Sequence, residues 1–467
     1  MKENADGTIV KYKARLVACG YKQIAGIDYS NTFAPVIKLS TVRALLALAA
    51  KQGYNITQAD VVTAFLHAFM EEEVYMDQPE GFVQKDENGE PLVCLLLKSI
   101  YGLKQAGRNW NKFLDTWFKK NKLKVGGADP CLYIYKDDLG NFLAIGIHVD
   151  DFLIIDNNPE LRQKFIEDMS KSFKLDFLGD AKWVLQVKIT RTPNSITIDQ
   201  SKYIKDVLEK FEMTNCKPAS TPMEKEIVKS DLKCDKSEYM SLVGSLIYVA
   251  VVTRPDISFA VSTVSQSMSD PCMSDFIAAK RILRYLKGTI DLGIIYSNIN
   301  AENNCLLGFS DSDWAGDKVT RKSTTGYVFL FANAAISWSS RKQPTIALSS
   351  TEAEYMAGCG AVQELIYLRM LFHDLGHLKD GPTLLFQDNQ GAINLAIDFF
   401  STKRTKHIDV KYHFIRQHIE EGRVKVNYIS TTKMIADCLT KPVGKIILEK
   451  CKSRIFGLHC GSIEGGC

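Results

Sequence analysis

No Cys-x-x-Cys pair occurs among the twelve cysteines of this 467-residue chain, so neither a zinc site nor a disulfide framework is indicated. A reducing intracellular compartment, cytoplasm or nucleus, is the simplest expectation. No stretch approaches the roughly 20 uninterrupted apolar residues that span a bilayer, and residues 1–13 lack the apolar core of a signal peptide. No membrane partner is expected. Internal repeats and low-complexity tracts are also missing. Excess charge is scarce: 58 Lys and Arg against 54 Asp and Glu leave +4, too little to establish a nucleic-acid partner. What is present, 46% hydrophobic and 24% charged residues, is ordinary for globular protein, and at about 150 residues per domain the length predicts two to four domains.

The basic residues are clustered. Lys11, Lys13, Arg15 and Lys22 form one group, and Lys403, Arg404, Lys406, Lys411 and Arg416 another. A third lies on a helix predicted over 275–287, with Lys280, Arg284 and Lys287 on one face and Ile277, Ile282, Leu283 and Leu286 supplying apolar surface. Each cluster alone reads as a solvated face. Phosphate contacts follow only if a site for phosphate chemistry exists elsewhere in the chain.

Such a site is suggested by Asp150 and Asp151, which sit at the tip of a predicted hairpin between Ile145-Gly146-Ile147 and Phe152-Leu153-Ile154-Ile155. An isolated Asp pair is common turn chemistry. The third carboxylate, Asp60, ends an extended segment beginning near Tyr54, after the helix-like run Val42–Ala50. Three carboxylates at a sheet end can hold two Mg²⁺ ions roughly 4 Å apart and serve phosphoryl transfer.

Further along, a helix is predicted over 99–120 with Trp110, Phe113, Leu114 and Trp117 as its apolar stripe, and another over 200–211. A charged stretch, 224–238, resembles a linker, and helical patterns dominate 239–287. A boundary is expected between Asn298 and Cys305. Beyond it lies a second acidic set. Asp311 follows the apolar approach Leu306–Phe309, and Glu354 lies just inside a helix that Ser349 and Ser350 would start. Asp388 ends the strand-like Leu384–Gln387, and Asp437 stands in the helix-like run 433–439. In a chain with 54 acidic residues, caps and solvated faces explain such a quartet equally well. His407 and His413 fit acid–base chemistry or plain packing.

Strings carried in one order decide between these readings. They include Lys11-Tyr12-Lys13-Ala14-Arg15-Leu16, Asp60-Val61-Val62-Thr63-Ala64-Phe65-Leu66, Tyr101-Gly102-Leu103-Lys104-Gln105-Ala106 and Thr253-Arg254-Pro255-Asp256. Asp313-Trp314-Ala315-Gly316-Asp317, Ala347-Leu348-Ser349-Ser350-Thr351-Glu352-Ala353-Glu354-Tyr355 and Arg404-Thr405-Lys406-His407-Ile408-Asp409 follow. From about Lys11 to Pro442 the chain resembles the reverse transcriptase and ribonuclease H portion of a Ty1/copia-type retrotransposon polyprotein.

The resemblance implies an α/β (α+β) fold: a right-hand polymerase palm and thumb with partial fingers, then a ribonuclease H-like domain with a mixed sheet flanked by helices. It places fingers and palm at 1–223, a helical thumb and connection at 224–300, the nuclease at 301–445 and a tail at 446–467. The upstream part of the fingers is not in this sequence. It further implies RNA-directed DNA polymerase and ribonuclease H activity, with Asp60, Asp150, Asp151, Asp311, Glu354, Asp388 and Asp437 as catalytic metal ligands for Mg²⁺, or Mn²⁺. Lys13, Arg15, Phe65, Tyr101, Gly102, Lys104 and His148 would contact nucleotide and primer-template. Phe65 would discriminate against the ribose 2′-hydroxyl, and Leu185-Gln186-Val187 would position the primer. Implied partners are an RNA or DNA primer-template, an RNA–DNA hybrid, deoxynucleoside triphosphates and other retrotransposon proteins. The family usually carries Tyr at His148 and Gly at Gln186. Two other readings stay open: a co-opted copy that binds nucleic acid without polymerising, and one that keeps only hybrid cleavage.

Overall fold

The computed structural model describes residues 2–3, 9–11, 14–226, 230–299, 305–397 and 409–458. They pack as two compact units, Met1–Lys38 with Thr57–Asp180, and Leu39–Ile56 with Ala181–Cys467. This division runs across the sequence boundaries at 223 and 300. Among the described residues no helix is long and apolar enough to cross a membrane. Nine described cysteines are free, and Cys305 is disulfide-bonded. A bridge needs spatial approach rather than a spacing pattern, so the absence of Cys-x-x-Cys gave no sign of it.

The first unit is built on a six-stranded sheet in the order Leu175–Asp180, Asn55–Val61, Asp151–Asp156, Phe142–His148, Leu132–Lys136, Lys124–Val125. Alternation along the strands sends Ala59, Val61, Leu143, Ile145, Ile147, Phe152 and Ile154 into one core. Helices Ala106–Lys120 and Pro159–Ser172 complete that core with Trp110, Leu114, Phe118, Phe165, Ile166 and Met169. The first of these helices starts at Ala106, seven residues later than its apolar stripe suggests. Gly102 adopts φ 97°, and Ala18 N–H donates to the Tyr101 carbonyl at 2.8 Å, holding this stretch extended. A Cβ on Gly102 would stand 2.2 Å from the Ala18 carbonyl oxygen, so glycine is required there.

In the second unit, Trp183–Val184, Val187–Arg191, Ser195–Asp199 and Ile294–Ser297 form an antiparallel sheet. Helices Ser201–Lys210, Lys236–Val252, Ser258–Ser265 and Met273–Gly288 accompany it. The predicted linker therefore already contains the start of a helix, which Asp235 caps through the Glu238 N–H. Ile277 is 63% exposed, so it supplies no buried surface on helix Met273–Gly288. Ile282, Leu283 and Leu286 do.

Helix Leu39–Gln52 belongs to this unit, and Arg43 shows why. Its buried guanidinium donates to the carbonyls of Ile336 (2.7 Å), Val251 (2.8 Å) and Val252 (3.0 Å) and lies 3.9 Å from the Trp338 ring. The second sheet of the unit is mixed, in the order Ala334–Lys342, Thr324–Phe331, Leu307–Asp313, Thr383–Gln387, Val424–Tyr428. Its first three strands are antiparallel, and its last two run parallel to Leu307–Asp313 and to each other. Parallel neighbours need crossovers, which helix Ser350–Asp374 and helices Gln390–Ile397 and Asp409–Glu420 provide. This is the mixed sheet flanked by helices that the sequence implied.

The turn Leu185–Gln186 closes a hairpin in which Val184 pairs with Val187, and both turn residues have positive φ, 50° and 58°. That conformation disfavours side chains by about 1–2 kcal/mol per residue. Gln186→Gly is expected to raise stability by about 1 kcal/mol in urea unfolding.

Candidate metal centres

In the first unit the hairpin tip consists of Val149 and Asp150, because His148 pairs directly with Asp151 across it. Val149 has φ 60°, an uncommon state for a β-branched residue, and its carbonyl accepts from Trp110 Nε1 at 2.7 Å. Val61 N–H donates to the Asp150 carbonyl at 2.9 Å, which joins the end of the Asp60 strand to the tip. Asp60, Asp150 and Asp151 are all half-buried. Burial, helped by neighbouring Asp150, raises the Asp151 carboxyl, while His148 and Gln58 oppose the shift. Sequence reasoning missed Asp176, which pairs opposite Asp60 on the adjacent strand. Directly opposed residues have Cβ atoms about 5 Å apart, so a further carboxylate flanks this end of the sheet.

Several residues expected near nucleotide and primer do come together. The rings of Phe65 and Tyr101 are 5.5 Å apart, and the Arg15 guanidinium lies 5.5 Å from the Tyr101 ring centre. Phe65 is half-buried and packs on two core clusters, so it is a structural residue whatever else it does. Lys104 is exposed and sits 5.7 Å from the Tyr29 ring centre. Lys13, Lys403, Arg404, Lys406 and His407 lie outside the described residues, as do the side chains of Lys11, Lys411 and His413.

The second unit assembles its carboxylates more tightly. Asp311 comes from the central strand, Glu354 from the start of helix Ser350–Asp374, and Asp388 from just past strand Thr383–Gln387. The Ser349 hydroxyl caps that helix by accepting from Glu352 N–H at 3.1 Å, as the sequence predicts. One oxygen from each of Asp311, Glu354 and Asp388 lies within 4.8 Å of the others. Among the described residues no other trio of His, Cys, Asp or Glu meets that spacing, so Asp60, Asp150 and Asp151 do not. Asp437 occupies a short 3₁₀ helix, Ile435–Leu439, rather than an α-helix, and its Oδ1 stands 2.8 Å from Lys441 Nζ.

The surrounding groups orient these carboxylates. Glu354 Oε1 accepts from Ser312 N–H at 3.0 Å, Asp311 Oδ2 accepts a short bond from the Thr440 hydroxyl, and Asp388 Oδ2 accepts from the Thr431 hydroxyl at 2.8 Å. Gly326 pairs opposite Asp311, where a Cβ would meet Thr440 Cγ2 at 2.6 Å. Glu354 Oε2 is buried without a hydrogen-bond partner. A buried carboxylate oxygen without a partner, on a residue that lies beside two more carboxylates, makes a set of hard oxygen donors that fits a divalent cation. Thr440 and Thr431 escaped sequence reasoning because no local pattern marks them. Lys441 was findable, since it stands four residues after Asp437.

Burial, with Asp311 and Asp388 adding to it, pushes the Glu354 carboxyl up to about 9. Burial, with Asp437 and Asp388, raises Asp311 to about 7, against opposing effects from Lys441 and Thr440. A folded-state value above the unfolded one means that the native protein holds the extra proton. Stability contributed at Glu354 is therefore intact below the unfolded value of 4.5 and falls as pH rises towards 9. Metal-free Glu354→Gln is thus expected to match wild type near pH 5 and to melt at a higher temperature at pH 8. Mg²⁺ should close the pH 8 gap by stabilising wild type, and calorimetry with and without EDTA reads both effects.

The reverse transcriptase (RNA-dependent DNA polymerase) family profile matches residues 1–225. A retrovirus-related Pol polyprotein from transposon TNT 1-94 of Nicotiana tabacum is 42% identical over 98% of this chain and 35% of its own length. A putative transposon Ty5-1 protein of Saccharomyces cerevisiae is 32% identical over 66% of this chain and all of its own length. Among solved structures, a ribonuclease H1 isolated from compost aligns with 29% of this chain and 93% of its own at 17% identity, TM-score 0.23. The chain spans 31–35% of the plant Pol polyproteins it matches, about a third of their length.

Proposed function

The chain belongs to the copia-type retrotransposon Pol family and carries its reverse transcriptase domain, and from that premise we propose that it performs two phosphoryl-transfer reactions. The first is RNA-directed DNA synthesis at Asp60, Asp150 and Asp151. The second is cleavage of the RNA strand of an RNA–DNA hybrid at Asp311, Glu354, Asp388 and Asp437. The observation that carries the reading is the convergence of three carboxylates within 4.8 Å, with Glu354 Oε2 lacking a partner. Residues 1–223 would serve as fingers and palm, 224–300 as thumb and connection, and 301–445 as nuclease.

Bound at these carboxylates, Mg²⁺, or Mn²⁺ in its place, supplies positive charge to a phosphoryl oxygen and acidity to the attacking group. The chain's own residues do the rest. Ser312 N–H and the Thr440 hydroxyl fix Glu354 and Asp311, and Lys441 offsets the charge of Asp437. In the palm, Phe65 would exclude a ribose 2′-hydroxyl, Tyr101 and Gly102 would face nucleotide and template, and Lys13, Arg15 and Lys104 would meet phosphates. His148, across the hairpin from Asp151, would border the primer end. The substrates on this reading are a primer-template, deoxynucleoside triphosphates and an RNA–DNA hybrid, with other retrotransposon proteins as partners.

A second reading, hybrid cleavage alone, is favoured by one observation: among the described residues, only Asp311, Glu354 and Asp388 reach the spacing of a metal group. Primer extension on an RNA template with Mg²⁺ separates the two. Extension by wild type that Asp150→Asn removes, with cleavage intact, supports both activities. Cleavage without extension selects the second reading, and the absence of both activities in a folded, nucleic-acid-binding protein sinks both.

A further inference from the structure

Asp437, the fourth carboxylate of the acidic set, does not join the group in which Asp311, Glu354 and Asp388 lie within 4.8 Å of one another. Its Oδ1 stands instead 2.8 Å from Lys441 Nζ, with the Asp437 side chain 7% exposed and that of Lys441 39% exposed. The backbone holds the two together as well. Lys441 N–H donates to the Asp437 carbonyl at 3.2 Å, just past the 3₁₀ helix Ile435–Leu439. Between them, the Thr440 hydroxyl donates to Asp311 Oδ2. One short segment thus brings a carboxylate, a hydroxyl and an ammonium to the cluster. The ammonium acts beyond its own partner. It opposes the burial that raises Asp311, Glu354 and Asp313, the last of which lies two places after Asp311 on the same face of strand Leu307–Asp313. Burial works against the charge of Lys441 itself, but Asp311, Asp437 and Asp388 together outweigh it.

From this arrangement we propose that Lys441 is a tethered counter-ion that competes with divalent cations for the acidic cluster. It neutralises Asp437 while the cluster is free of metal, and an ion that engages Asp437 must displace the ammonium. The inference rests on the reading of Asp311, Glu354, Asp388 and Asp437 as a metal centre, and adds that Lys441 sets how tightly that centre takes its ions. A buried carboxylate needs a partner, and a lysine ammonium is a compact point charge on a flexible stem. Such a group serves as partner when no ion is present and swings towards solvent when one arrives. The same charge repels an incoming cation, most strongly where water is excluded. A purely structural tie would act in the opposite direction. Its removal would loosen the segment that carries Asp437 and Thr440, and ions would bind more weakly.

The test is titration calorimetry of the full chain with Mn²⁺, without nucleic acid, in an Asp150→Asn background that weakens ion binding in the other unit. Asp388→Asn identifies the part of the heat that belongs to the acidic cluster. Lys441→Met is expected to bind Mn²⁺ there at least about tenfold more tightly than the parent, because one positive charge fewer repels the ion. Lys441→Arg keeps the charge and should stay close to the parent affinity. In EDTA, Lys441→Met should melt at a lower temperature, since Asp437 loses its counter-charge, and saturating Mn²⁺ should close the gap. Weaker Mn²⁺ binding by Lys441→Met, or a melting point that Mn²⁺ does not restore, makes Lys441 a structural tie and overturns the inference. Heat that depends on Asp388 but not on Lys441 overturns the inference alone. Heat that Asp388→Asn leaves unaltered removes the metal centre itself, and the inference with it.

Discussion

Asp388→Asn is expected to lower hybrid cleavage at least about a hundredfold, the scale on which a lost contact to a charge-stabilising centre acts, while leaving the fold intact. The asymmetry follows from the electrostatics. Asp388 is half-buried and helps to push both Asp311 and Glu354 upward, so removing its charge relieves repulsion in the metal-free protein. An amide of the same shape can still accept from the Thr431 hydroxyl, which keeps local geometry. The melting temperature in EDTA should therefore hold or rise as activity falls. A variant that unfolds, or that cleaves at the wild-type rate, would remove Asp388 from the proposed centre. Primer extension by the same variant should be unchanged, because Asp60, Asp150 and Asp151 belong to the other unit.

The second large effect concerns stability. Arg254 and Asp256 are completely buried and form a two-point ion pair, with Nε to Oδ1 at 2.9 Å and Nη2 to Oδ2 at 2.8 Å. Arg254 Nη1 also donates to the Thr289 carbonyl at 2.9 Å, and Tyr285 donates to Asp256 Oδ2 at 2.6 Å. Every charge here is met, so the network persists despite the cost of desolvating it. Arg254→Met strands the Asp256 carboxylate and is expected to cost about 3–5 kcal/mol. At roughly 3 °C per kcal/mol for a unit of this size, the melting point should drop by about 10 °C. Adding Asp256→Leu should recover part of that loss, because the stranded charge goes with it. A loss below about 1 kcal/mol for Arg254→Met would mean that water reaches Asp256.

These two cases mark how far the chain was legible before folding. Thr253-Arg254-Pro255-Asp256 was visible as a family string, but nothing local says that both charges are buried, because Thr289 and Tyr285 lie a helix away. Ser349 as a cap, and Glu354 just inside the helix, were legible because capping acts over three residues. Asp388 at a strand end was legible from an apolar run that stops at a carboxylate. The start of helix Ala106–Lys120 was misjudged because the bond from Ala18 to Tyr101 competes with helix formation from far upstream. Helix Leu39–Gln52 was found, but the partners of Arg43 sit at 251, 252 and 336, beyond the reach of any local pattern.

The sequence by itself determined the element types, the acidic positions and the family, all of which depend on residues within a few places of one another or on ordered strings. Tertiary structure alone decided which carboxylates meet. It drew Asp311, Glu354 and Asp388 within 4.8 Å, left Asp60, Asp150 and Asp151 short of that spacing, and set Asp176 across from Asp60. It also decided that the Glu354 carboxyl is raised above its ordinary range, since desolvation is a property of the packed surroundings and not of the residue. Periodicity and capping are written along the chain. Distance and dielectric arise only when remote segments close on each other.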